Sequence, residues 1–259
     1  MPDDLSELES AITISTIARY RRPPIVEALV DIHVAFAGEP QLAAKTAMLD
    51  ESSSYALRQP MVTTSWRMSA SATDVEPGEQ TLIGFRYDDK AAGRVVLVRF
   101  NGFTFSQQHP YPENGWADWT VEARRLWSKY ANSFRDAVVT RLAVRYINRI
   151  VVDSDAKHSD HFLVGPRLPM DFGEYRNFLV RTELDVGGQI GATVVLTHAE
   201  LQAEAGDRGR PFLLDLDISC SASEEISSPI VWDRLEQLHS LVAPIFEGSV
   251  TENTRRMYR

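Results

Sequence analysis

The stretch from Arg141 to Val152 alternates as a strand does, with Leu142, Val144, Tyr146, Ile150 and Val152 on one face and Arg141, Arg145 and Arg149 on the other. One face seeks a core. The other carries three guanidiniums, each about 13 Å from the next at about 3.3 Å per residue. A run so apolar belongs inside a sheet, so these guanidiniums imply carboxylates or an anion beside them. After Pro23-Pro24 the pattern recurs: Val26, Ala28, Val30, Ile32, Val34 and Phe36 face one way, and Glu27, Leu29, Asp31 and His33 the other.

Between and beyond these two strands the periodicity predicts the remaining elements. Residues 40–59 are rich in helix formers and stop before Pro60. Strands are expected at about 62–74, 80–88 and 93–107, with turn chemistry at Glu76-Pro77-Gly78-Glu79 and from Asp88 to Gly93. Trp119, Ala123, Leu126, Trp127, Tyr130 and Phe134 then recur at helical spacing, an aromatic stripe that reads as core packing, with Asp118 as the helix's cap. After the Arg141–Val152 strand comes a short helix or ordered loop over 158–172. Three more strands follow at about 177–186, 189–201 and 211–222, turned by Gly187-Gly188 and Gly206-Asp207-Arg208-Gly209. Ser228-Pro229 opens a helix with Val231, Leu235, Leu238, Val242 and Ile245 as its apolar stripe. Pro244 should kink or end it, and Thr251 should cap a last short helix.

Corresponding elements in the two halves are offset by 116, 115 and 112 residues. The expected architecture is therefore α+β, in two similar halves. Each is a strand, a helical crossing, a three-stranded antiparallel meander and an amphipathic helix, with helices packed on one sheet face. The boundaries fall at 1–19 for a flexible arm, 20–138 for the first half and 139–259 for the second, packed closely enough to form one domain. Element order within each half is similar to the repeated unit of saddle-shaped, TATA-binding-protein-like folds, a likeness that carries no function.

Composition narrows the function classes. A formal charge of −9 argues against general nucleic-acid binding, which needs a basic footprint. No run of about 18 apolar residues exists to span a bilayer. The start MPDDLSELES is acidic where a secretory signal would be basic and then apolar, so a cytoplasmic protein is expected. Cys220 stands alone, which leaves a buried thiol rather than a disulfide or cysteine metal site. Only four of the 27 basic residues are lysine, and arginine suits bidentate contact with carboxylate or phosphate.

Three segments, Arg22-Pro23-Pro24-Ile25-Val26-Glu27-Ala28, Arg145-Tyr146-Ile147-Asn148-Arg149-Ile150, and Leu238-His239 through Phe246-Glu247 to Thr251, together resemble a sporadically distributed bacterial family of about this length and uncharacterised function. The resemblance implies no activity, cofactor or catalytic residue, but it marks Glu27 and Asn148-Arg149 as positions to watch. Candidate ligand-binding residues are accordingly Glu27, Asp31, His33, Arg141, Arg145, Asn148 and Arg149, lying on two strands whose facing sides would set carboxylates against guanidiniums. Arg67, Arg86, Arg99, Arg181, Glu183, Asp215 and Asp217 could extend that lining.

No metal site, cofactor or nucleophile motif is expected. His158 and His161 read as solvated loop histidines. The favoured function is a non-catalytic binding or interaction protein, meeting a protein partner or a second copy of itself. The alternative is a metal-dependent phosphohydrolase, or another enzyme acting on an anionic phosphate or carboxylate substrate at the arginine face. That face is similar to the lining of triphosphate tunnel enzymes, although Glu27-Ala28-Leu29 stands where those have Glu-x-Glu-x-Lys and their lysines are missing.

Overall fold

The two long strands read from the sequence are neighbours at the middle of the sheet, paired antiparallel with Leu29 opposite Arg145 and His33 opposite Arg141. They are β1 (Ile25–Ala35) and β6 (Val138–Val152) of a computed structural model that describes residues 20–36, 54–55, 57–68, 75–166, 176–188 and 190–259. Four further strands lie in the first part of the chain: β2 (Leu57–Met68), β3 (Val75–Asp89), β4 (Arg94–Arg99) and β5 (Gly102–Gln108). Three follow β6: β7 (Leu179–Gly187), β8 (Ala192–Glu200) and β9 (Arg210–Glu225). The described strands form one nine-stranded sheet in the order β2-β3-β4-β5-β1-β6-β9-β8-β7, antiparallel at every pairing.

Directly paired residues point to the same side, so the register writes out the core in rows. Tyr87, Val96, Phe105, Val30, Val144 and Ile218 form one such row, and Phe85, Val98, Phe103, Ile32, Leu142 and Cys220 another. All are buried. At about 1.5–3 kcal/mol for each fully buried large side chain, this face dominates the stabilisation of the sheet.

Helices cover that face. Helix α1 (Trp116–Ser133) lays its predicted aromatic stripe on β5, with Trp119 stacked on Phe105 and Trp127 edge-on to Phe103. After a single turn, α2 (His158–His161), the last helices are α3 (Ile230–Ser240), α4 (Val242–Ser249) and α5 (Glu252–Arg256). α3 packs on β6 and β9. The break at Leu241 follows from Pro244, whose ring excludes a continuing helix, so the proline sits in the first turn of α4.

Several expectations are corrected. The single strand over 93–107 is a hairpin, β4 and β5, turning at Phe100-Asn101, which gives the first part four consecutive strands rather than three. Glu76-Pro77-Gly78-Glu79 is part of β3, opposite Trp66 and Arg67, rather than a turn. Val26 is exposed, because the register shifts between Ile25 and Glu27. Asp118 lies in the first turn of α1, whose N-cap is Gly115; Thr251 stands at the N-cap of α5 as expected, but its hydroxyl donates to the Asp160 carbonyl and makes no cap bond to the helix. Within the expected helix over 40–59, residues 57–59 belong to β2, and residues 40–53 and 56 lie outside the described residues. The 1–19 arm and residues 167–172 also lie outside them.

The chain enters β9 tightly against the end of β6. A Cβ on Gly209 would stand 2.0 Å from the Val152 carbonyl oxygen, with backbone on both sides of the clash. Gly209→Ala is therefore expected to cost about 2 kcal/mol or more in urea unfolding. A wild-type midpoint would mean that the turn can be rerouted.

Candidate ligand-binding site

The polar face of the sheet centre gathers most of the residues singled out by charge. Asp31 accepts from Arg99 at 2.6 Å and from the Thr104 hydroxyl at 2.5 Å, lies 2.8 Å from His33 Nε2, and is 3.5 Å from Arg141. Burial works to raise the Asp31 carboxyl, but the His33 bond, the Arg99 guanidinium and Thr104 outweigh it and hold it well below the usual carboxylate range. Arg141 also reaches Asp217 at 3.4 Å. The Asp217 carboxyl is pushed up by burial despite Arg141 and Arg145.

Arg145 grips Asp215 with two bonds of 2.8 and 2.6 Å, and Arg149 grips Asp207 with bonds of 2.9 and 2.6 Å. Glu27 accepts from the Ser106 hydroxyl. Arg86 pairs with Asp88, and Arg181 lies 3.8 Å from Glu183. The side chain of Arg67 lies outside what is described. The three β6 arginines thus turn mainly toward β9 and the turn before it, and only Arg141 shares a carboxylate with β1.

The Arg145–Asp215 pair is unequally buried, with 41% of the arginine side chain exposed against 9% of the aspartate's. Removing the arginine strands a buried carboxylate, whereas removing the aspartate leaves a cation that water already reaches. Arg145→Ala is expected to cost about 2 kcal/mol and Asp215→Ala about 1 kcal/mol in denaturant unfolding. Equal losses would show that Asp215 is open to water.

On the helix side the described residues line a partly open cavity of about 620 Å³. Its wall comes from the entry to β1 (Tyr20 to Ile25), the loop and first turn leading into α1 (Tyr111 to Ala117), β6, and the facing sides of α3 and α4. Gly115, at φ 61°, makes the turn that sets Tyr111 beside α1.

Two polar residues stand in apolar phase here. Asn148 follows Leu142, Val144 and Tyr146 on the core face of β6, and is 3% exposed. His239 lies one turn after Leu235 in α3. His239 is stacked on Trp116, centroids 4.2 Å apart and planes at 4°. The Trp116 indole donates to Glu236 at 2.7 Å, and Arg124 donates to the other Glu236 oxygen at 2.8 Å.

A chain of hydrogen bonds runs behind the wall. Trp119 Nε1 donates to the Tyr111 hydroxyl at 3.2 Å, that hydroxyl lies 3.4 Å from the Tyr146 hydroxyl, and the latter lies 3.1 Å from His239 Nδ1. Asn148 Nδ2 donates to the carbonyls of Leu214 at 3.0 Å and Tyr146 at 3.4 Å. Burial pushes His239 down to about 4 against the pull of Glu236, and pushes both tyrosines up. At neutral pH these three groups are uncharged.

A second buried polar pair lies further along the same face, where His198 Nε2 is 2.9 Å from His158 Nε2 among Phe162, Phe178 and Phe212. His198 Nδ1 lies 2.7 Å from the Leu213 carbonyl and so carries a proton, which makes His158 the donor between the rings. His158 is therefore buried rather than a solvated loop residue, which corrects the sequence reading. A smaller cavity of about 250 Å³ adjoins His198. Among the described residues no three His, Cys, Asp or Glu side chains gather as a metal site, and no helix is long and apolar enough to cross a membrane.

No protein-family model matches the chain, and no curated protein matches it at a significant level. The three segments singled out in the sequence meet at the larger cavity: Pro23, Pro24 and Ile25 from the first, Tyr146 and Asn148 from the second, His239 and Phe246 from the third. Of the seven candidates only Asn148 lines it, while the other six stand on the charged face. Charge patterning missed Tyr111, Trp116, Glu236 and His239. The available signal was a polar residue in the apolar phase of a strand or helix.

Proposed function

We propose that the protein binds a small molecule in the cavity between β6, α1 and the α3–α4 pair without transforming it. The observation that carries this reading is the meeting of three segments, distant in sequence, around a volume of about 620 Å³. Ligand pockets typically occupy about 300–1,000 Å³, with aromatic walls and a few placed polar groups. Binding is favoured over catalysis because a histidine held near 4 is a weak base at neutral pH, and Tyr146, raised well above its ordinary value, is a weak acid. On this reading the cavity is the common site of the family the chain resembles.

The competing reading, an enzyme acting on anions at the arginine face, is weaker because Arg99, Arg145 and Arg149 are already engaged by carboxylates. An internal duplication belongs to the same proposal. Strands run outward from β1 as β5-β4-β3-β2 and from β6 as β9-β8-β7, so each half folds its meander back onto its own first strand.

The test is a thermal-shift and native mass-spectrometry screen against a metabolite mixture, run on wild type and on Ala243→Phe, which fills the cavity from α4. A saturating ligand at about 100 times its Kd should stabilise wild type by about 2.7 kcal/mol. Ala243→Phe should remain folded and lose that gain. A ligand that stabilises both proteins equally would place the site elsewhere.

A further inference from the structure

We propose that the ligand is a neutral, largely apolar ring compound carrying an amide-like N–H and C=O pair, an inference that rests on the binding reading above. The indole of Trp119 can only donate, so it occupies one acceptor position on the Tyr111 oxygen and biases the direction of the whole chain. If Tyr111 donates to Tyr146 and Tyr146 to His239 Nδ1, every hydroxyl proton is bonded. His239 then carries its own proton on Nε2, which has no partner among the described residues. The reverse direction leaves the hydroxyl proton of the partly buried Tyr111 without an acceptor among the described residues, which is costly.

The two carbonyl contacts of Asn148 fix its amide orientation, because only Nδ2 can donate to them. Its Oδ1 is left without a donor among the described residues. Beside the Tyr20 hydroxyl, unpartnered among the described residues, the cavity wall therefore offers a donor, His239 Nε2–H, and an acceptor, Asn148 Oδ1. Charge selects against anions: the wall holds Arg21 against Glu113 and Glu236, and the Glu236 carboxylate is already taken by Trp116 and Arg124. Aromatic and proline surfaces make up much of the rest, which suits a ring.

The experiment titrates three probes into the full chain, followed by tryptophan fluorescence and calorimetry: 2-quinolone, N-methyl-2-quinolone, which lacks the N–H, and 2-naphthoate, an anion of similar size. Wild type should bind 2-quinolone roughly five- to tenfold more tightly than its N-methyl form, the worth of one net hydrogen bond, and at least about tenfold more tightly than 2-naphthoate. Asn148→Ala should bring the two quinolones within about twofold of each other. His239→Phe keeps the stacked ring and loses the donor, so it should weaken both by a similar factor and preserve their ratio. Imidazole ¹H–¹⁵N correlation spectra should show the Nε2–H tautomer for His239.

Equal binding of the two quinolones by wild type, or an Nδ1–H tautomer, would overturn the donor–acceptor assignment. Tightest binding of 2-naphthoate would overturn the ligand class while leaving the cavity as a binding site. No saturable binding of any probe at millimolar concentration would overturn the binding reading as well.

Discussion

Truncation of Trp119 to alanine is expected to destabilise the protein by about 3–5 kcal/mol, lowering the thermal midpoint by roughly 10 °C. The side chain is 0% exposed and is the largest fully buried one among the described residues. It stacks on Phe105 of β5 with planes at 6° and meets Trp116 edge-on with centroids 5.1 Å apart, so it joins α1 both to the sheet and to the cavity wall. Its loss leaves a void that packed neighbours on a rigid sheet cannot close. Trp119→Phe separates the packing from the hydrogen bond. It retains most of the ring contact but unpins the Tyr111 hydroxyl, and a loss of about 1–2 kcal/mol is expected. Urea unfolding monitored by circular dichroism gives both numbers. A loss below about 1 kcal/mol for the alanine variant would mean that α1 is not anchored through this residue.

The cavity follows from the same residue. Because the Trp119 indole holds Tyr111, and Tyr111 meets Tyr146, the core of α1 and the polarity of the cavity wall are one structure. An aromatic stripe at helical spacing reads from the sequence as packing, and here it is packing. Trp116, at the start of that helix, also holds Glu236 and His239 in place.

The parts of the fold that were legible in the sequence are those where one periodicity decides the outcome. In β1 and β6, alternation assigned Val30, Ile32, Leu142 and Val144 to the core and Asp31, Arg141 and Arg145 to the opposite side. The stripes of α1 and α3 were legible for the same reason. The Phe100-Asn101 turn was harder to see, because apolar residues run on through Phe100, although their phase moves from Val96 and Val98 to Phe103 and Phe105 across it. Asn101-Gly102 was the signal, since that dipeptide marks short hairpin turns. The opposite failure occurred at Pro77-Gly78, which reads as a turn yet lies in β3, with Pro77 opposite Trp66.

Pairing of charges was less legible than their facing. Period-two alternation says which residues share a face, but register decides which of them meet. Arg145 stands opposite Leu29 on β1 and Asp217 on β9, and takes Asp215, one step further along its own face. Arg149 takes Asp207 from the turn that precedes β9, a residue that no strand pattern singles out. The cavity was least legible, because it is assembled from four segments spread along the chain from Tyr20 to Phe246. Its trace in the sequence is local: Asn148 and His239 are polar residues at positions whose phase belongs to the core.

Acidification from pH 7 to 4.5 is expected to cost the protein several kcal/mol, mostly through its buried histidines. Burial holds His198 and His239 at about 4 in the folded chain, whereas an unfolded histidine titrates near 6.5. Between those values the unfolded state binds the extra protons. The stabilisation is therefore complete above about 6.5 and is lost as the pH falls toward about 4. A shift of this size corresponds to roughly 3 kcal/mol for His198, which is 0% exposed, and to somewhat less for the half-buried His239. His158 and His161 are lowered too and act in the same direction. Asp217, raised by burial, opposes them, but near its ordinary range and as one group against four. Asp31, held low, adds its own loss only at more acidic pH.

Urea unfolding at intervals from pH 7.5 to 4.5 should show stability falling steeply below about 6.5. His198→Gln and His239→Gln should each remove part of that slope whatever their effect at pH 7.5, because glutamine has no proton to take up. If His239→Gln left the slope untouched, the histidine would have to take up its proton in the fold as readily as in the unfolded chain. Below about 6.5 the cavity would then hold a cation, anions would no longer be disfavoured by its wall, and the Tyr146 hydroxyl would have to accept from Nδ1 instead of donating to it.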